Sequence, residues 1–70
     1  MSQRSLRAFI PRKRWFKLEW YGEVEFVRAL SAYGALRVNE YHRTFVPDSE
    51  VTVTELTDQD MMLERLAGNV

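Results

Sequence analysis

Glu23-Val24-Glu25-Phe26-Val27-Arg28-Ala29-Leu30-Ser31-Ala32-Tyr33 is the stretch on which the fold turns. Val24, Phe26 and Leu30 fit a two-residue period that Arg28 interrupts, whereas Phe26, Val27, Ala29, Leu30 and Tyr33 form a fuller stripe at helical spacing. A helix is therefore expected. Gly34 suits the position that closes one, because an achiral residue takes the left-handed conformation freely. Were residues 24 to 30 a strand instead, the domain would become a mostly β sheet with one C-terminal helix.

On the N-terminal side of this stretch, Arg14 to Tyr21 alternates, with Phe16, Leu18 and Trp20 on one side and Lys17 and Glu19 on the other. Aromatic content favours a pleated strand, and Gly22 ends it. On the C-terminal side, Ala35 to Val46 is rich in β-formers and leads through Pro47-Asp48-Ser49-Glu50 into Val51 to Leu56, the pattern of a hairpin. A four-residue loop would set Val46 against Val51, Thr44 against Val53 and His42 against Glu55. Thr57 then opens a last helix as N-cap, with Asp58 and Asp60 at the positive end of its dipole, and Gly68 stops it. Met61, Met62, Leu63, Leu66 and Ala67 supply its apolar residues, the methionines as gap-fillers of a core. The expected fold is a small α+β domain over residues 14–70, ordered β-α-β-β-α with an antiparallel sheet and a C-terminal helix, behind a basic N-terminal arm over residues 1–13.

Seventy residues suffice for one domain, and a core of that size supplies only a few kcal/mol net. Without cysteine, disulfides and thiolate metal sites cannot assist it. Self-association or a partner is the remaining aid, so a homo-oligomer is expected. The longest charge-free run of note, Ala29 to Leu36, is well short of the roughly 18 residues a membrane span needs. Leu6, Ala8, Phe9 and Ile10 are interrupted by charge and end at Pro11, so no secretory signal is read and a cytoplasmic address is expected.

Charge is balanced overall, with ten basic and ten acidic residues, yet it is sharply polarised along the chain. Arg4, Arg7, Arg12, Lys13, Arg14 and Lys17 crowd the first seventeen residues with no acid among them, while acids dominate residues 48 to 70. Signatures of catalysis are missing: the chain has no phosphate loop, dinucleotide fingerprint, nucleophile elbow, paired-histidine motif or EF-hand spacing. His42, with Glu40 on its strand face and Glu55 across from it, is the only constellation able to bind a metal or relay a proton. A hydrogen-bonded cross-strand trio is the simpler account of it. No enzyme, metal or cofactor is expected.

Arg12-Lys13-Arg14-Trp15-Phe16-Lys17 is the most pointed feature of the sequence. Cations neutralise phosphates and neighbouring rings stack on bases, which makes a nucleic-acid-binding role through Arg4, Arg7, Arg12, Lys13, Arg14 and Lys17 one reading. Zero net charge speaks against it, since dedicated binders carry a basic domain as well as a basic stretch. The aromatics also outnumber what one face of a small sheet can hide, and Tyr, Trp and Arg make up interface hot spots. The favoured function is a non-enzymatic protein-binding module, a small regulator, inhibitor or assembly factor, that docks through Arg12, Lys13, Arg14, Trp15, Tyr21 and Tyr41. In size and in lacking a catalytic signature the chain is similar to the small inhibitors that phages use against host nucleic-acid machines, anti-CRISPR proteins among them, a likeness of size class that no motif carries.

Overall fold

A computed structural model describes residues 12–70. Strand β1 (Arg14–Trp20) and strand β2 (Glu23–Ala29) form a hairpin, followed by helix α1 (Ala32–Arg37), two short 3-10 turns (Glu40–Arg43 and Asp48–Glu50), strand β3 (Thr52–Leu56) and helix α2 (Asp58–Leu66). The sheet is antiparallel and three-stranded in the order β2-β1-β3, so the most aromatic strand lies in the middle. The α+β class, the antiparallel sheet and the C-terminal helix are those read from the sequence.

Two segments take other roles than expected. Residues 23 to 29 form a strand, as in the alternative reading, and the helix is confined to Ala32–Arg37. The cause is the turn before it. Tyr21 and Gly22 both have positive φ, 46° and 82°, the signature of a tight two-residue hairpin turn whose twist matches the strands it joins. Such a turn sends the chain straight back along β1, pairing Trp20 with Glu23, Leu18 with Glu25, Phe16 with Val27 and Arg14 with Ala29. Gly34 consequently sits inside α1, where its amide donates to the Ser31 hydroxyl that caps the helix. The left-handed residue that breaks the chain's direction after α1 is Asn39 (φ 50°).

The expected hairpin across residues 47–50 does not form either, and the pairs His42–Glu55 and Thr44–Val53 with it. β3 is a strand, but it pairs with β1, setting Val53 against Leu18 and Glu55 against Phe16. Residues 35 to 46 lose their local β preference to α1 and a 3-10 turn, an outcome in which packing overrides propensity.

Alternation along β1 gives the sheet two faces, and each receives a helix. On the first face Phe16, Leu18, Val27 and Ala29 bury against Ala35 of α1, with Trp20, Leu36, Val38, Val51 and Val53 packed around them. On the second face α2 lies over β1, tied by Lys17 to Glu64 (3.5 Å) and by the Arg65 guanidinium over the Trp15 ring. Met61 is the buried residue of α2. Thr57 begins this helix as read from the sequence: its hydroxyl accepts from the Asp60 amide, and the Asp60 carboxylate accepts from the Thr57 amide. Gly68 (φ 80°) ends it, with the Gly68 amide bonding the Arg65 carbonyl and the Asn69 amide the Glu64 carbonyl, a Schellman closure. Among the described residues no helix is long and apolar enough to cross a membrane.

Candidate functional site

The segment from α1 to the second 3-10 turn has no ladder to hold it, so its conformation depends on side chains. Arg43 provides the anchor. Its side chain is 3% exposed, and its guanidinium donates to Glu25 Oε1 (2.9 Å) on β2 and to the carbonyls of Leu36 (2.7 Å) and Val38 (3.3 Å). It also lies 5.2 Å from the centre of the Trp20 ring. A buried guanidinium is tolerable only when its charge and donors are met, and here one carboxylate and two carbonyls meet them.

Glu25 is the hub of this arrangement. Its second oxygen accepts from Asn39 Nδ2 (3.2 Å) and lies 3.1 Å from His42 Nδ1. Since a carboxylate only accepts, Nδ1 is the donating nitrogen. Three residues of the irregular segment, Asn39, His42 and Arg43, are thus gathered onto one carboxylate of β2 and fix the backbone between them. The trio read from the sequence around His42 is replaced by this one. Among the described residues no group of three or more His, Cys, Asp or Glu side chains is placed to hold a metal ion.

What this anchored segment presents to solvent is aromatic. Tyr33, Tyr41 and Phe45 are exposed, Phe45 to 95%. The Arg37 guanidinium lies 5.2 Å from the Tyr33 ring centre and bridges to Glu40 and Asp48. The segment therefore carries exposed rings together with a locally neutralised arginine.

The residues singled out from the sequence are scattered more widely than one patch. Arg12 and Lys13 are exposed just ahead of β1, and Arg14 donates to both oxygens of Glu55 (2.9 and 3.1 Å) and to the Leu30 carbonyl (2.7 Å). Trp15 is half-buried, with the guanidinium groups of Arg28 and Arg65 lying 5.7 and 5.8 Å from the centre of its ring. Tyr21 is exposed in the turn at the far end of β1, roughly 20 Å from Arg14 by the rise of an extended strand. Tyr41 belongs to the Arg37–Phe45 segment, its ring edge-on to His42. Of the six cations of the nucleic-acid reading, Arg4 and Arg7 lie outside the described residues, Arg14 and Lys17 are ion-paired, and Arg12 and Lys13 line a surface cleft together with Glu55 and Asp58.

Arg43, Glu25 and Arg37 escaped the sequence reading, because nothing local connects β2 to a turn eighteen residues later. Phe45 and Tyr33 were visible only as part of an aromatic surplus. Compared with known protein families, curated proteins and solved structures, the chain finds no match.

Proposed function

We propose that the chain is a non-enzymatic protein-binding module acting in the cytoplasm without a cofactor, a small regulator, inhibitor or assembly factor. Its docking surface is the segment carrying Tyr33, Arg37, Tyr41 and Phe45. The observation that supports this most is Phe45, a large apolar ring almost fully in water on a segment that a buried Arg43 holds in place. Exposed rings on a fixed backbone lose little conformational freedom on binding, which is how aromatic anchors yield affinity. The matching partner is a folded protein offering an apolar pocket for Phe45 with acceptors for the tyrosine hydroxyls at its rim. The pairing of Arg14 and Lys17 with acids weighs against a phosphate-gripping role for the basic stretch. Its size class, shared with small phage inhibitors, makes a nucleic-acid machine of a host cell the first partner to try.

The test is capture on the immobilised chain from an extract of the source cells, with and without nuclease. Two variants serve as controls: Tyr41→Ser with Phe45→Ser, and Arg12→Ser with Lys13→Ser and Arg14→Ser. The expected result is a protein partner that survives nuclease, is lost from the aromatic variant, and still binds the basic variant with a slower association rate. Salt-sensitive oligonucleotide binding, with a salt slope made shallower in the triple variant by about one unit for each cation removed from a phosphate, would overturn the proposal in favour of nucleic acid.

A further inference from the structure

Helix α2 turns its more apolar side away from the sheet. At about 100° per residue, Gln59, Met62, Leu63 and Leu66 fall at i, i+3, i+4 and i+7, a single stripe. Met61 and Glu64, which meet the sheet side, lie roughly opposite. Met62 is 59% exposed, Leu63 57% and Leu66 78%, and Val70 is also exposed just beyond the helix. A helix of nine residues that buries one methionine and shows three large apolar side chains to water has its amphipathicity reversed with respect to its own domain.

We infer that this stripe is the seat of a symmetric dimer, in which α2 of a second copy packs antiparallel against it. The choice of a second copy rests on charge. Asp58 and Arg65 flank the stripe on the same side, one in the first turn and one in the last. A two-fold axis across the helix pair keeps that flank on the same side and inverts its order, so Asp58 of each copy meets Arg65 of the other, twice. Antiparallel helices also bring the negative C-terminal end of each dipole beside the positive N-terminal end of its neighbour. Arg65 is already held in place over Trp15. The dimer interface is on the opposite side of the sheet from Tyr41 and Phe45, so it goes beyond the proposed partner surface and leaves that surface open. With three principal side chains a copy, the contact is smaller than the roughly 800 Å² per partner of a stable complex, and its dissociation constant falls on the order of 10–100 µM.

Sedimentation equilibrium of the full chain across that concentration range tests the inference. The expected result is a reversible shift from the 8.3 kDa monomer to twice that mass. Leu66→Glu abolishes it with an unchanged circular dichroism spectrum, because the side chain is in solvent in the monomer. Asp58→Arg and Arg65→Asp each weaken self-association at least about tenfold, and an equimolar mixture of the two restores it, since every facing pair is then opposite in sign. A wild-type chain that stays monomeric throughout the range overturns the dimer. A dimer that survives Leu66→Glu overturns the stripe, and failure of the mixture to recover overturns the antiparallel arrangement. Thermal unfolding of each variant separates a misfolded protein from a dissociated one.

Discussion

The two helices cover the two faces of one sheet by opposite means. α1 has six residues and a single side-chain cap, yet it buries Ala35 completely and shares the core of Phe16, Leu18, Val27 and Ala29. α2 is longer and is closed at both ends, by the Thr57–Asp60 box and the Gly68 Schellman turn, yet it buries only Met61 and holds to β1 largely through Lys17–Glu64 and Arg65–Trp15. One helix exists because of what it packs against; the other is specified by its own sequence and is only lightly attached. Local signals and tertiary burial can each define a helix, and in this molecule they are divided between two.

The sharpest way to break that contrast is to remove buried side chains from the two faces in turn. Leu18→Ala on the α1 face is expected to cost about 3 kcal/mol, and Met61→Ala on the α2 face about 2 kcal/mol. A domain of this size holds only a few kcal/mol, so the first change should leave a large unfolded fraction at 25 °C while the second lowers the midpoint without abolishing the transition. Urea unfolding followed by tryptophan fluorescence measures both. Equal losses would mean that the α2 face is as well packed as the other.

Arg43→Ala comes next. It strands the Leu36 and Val38 carbonyls and leaves Glu25, 17% exposed, with a carboxylate that has lost its strongest partner. The expected loss is about 2 kcal/mol, below the range for breaking a fully buried pair because Glu25 still reaches water and keeps Asn39 and His42. Arg43→Lys should not recover it, since one ammonium cannot match the fork that serves a carboxylate and two carbonyls. Hydrogen exchange should show protection falling over residues 38–46 before it falls in the sheet.

The smallest effect is expected at the cap. Thr57→Ala should cost about 1 kcal/mol, or about 4–8 °C in midpoint, through loss of the bond to the Asp60 amide. If α2 is as autonomous as its caps indicate, that change shortens the helix without disturbing the α1 core, and the Phe16 and Leu18 resonances should keep their chemical shifts. A cap whose removal moved those resonances would tie the two faces together more closely than the packing between them does.

This division explains what could be read from the residues. β1 was legible because its alternation is clean, and α2 because Thr57, Asp60 and Gly68 mark its ends within the sequence itself. β2 was not, and the reason is the second helix: Val27 and Ala29 face the α1 core while Val24 and Phe26 lie on the α2 side, so apolar residues occur on both faces and the two-residue period is blurred into something resembling a helical stripe. Tyr21-Gly22 gave no warning, since a tyrosine at positive φ lacks the asparagine or aspartate that usually announces this turn. The candidate surface was harder still. Phe45 and Tyr41 depend on an ionic contact between Glu25 and Arg43, which becomes visible only when β2 and the 3-10 turn are brought together in space.

The place of β1 in the middle of the sheet bears on how the chain is made as well as on how it stands. One neighbour, β2, is two residues away and pairs as soon as both have left the ribosome. The other, β3, emerges only after α1 and the two 3-10 turns that follow β2, and α2 comes after it. Until then the growing chain has a two-stranded hairpin, marginal in water by itself, with one edge of its most aromatic strand unpaired and the second face uncovered. The fold is therefore completed only once β3 and α2 have emerged, and nascent chains arrested before Val51 lack both and are open to proteases and to pairing with one another.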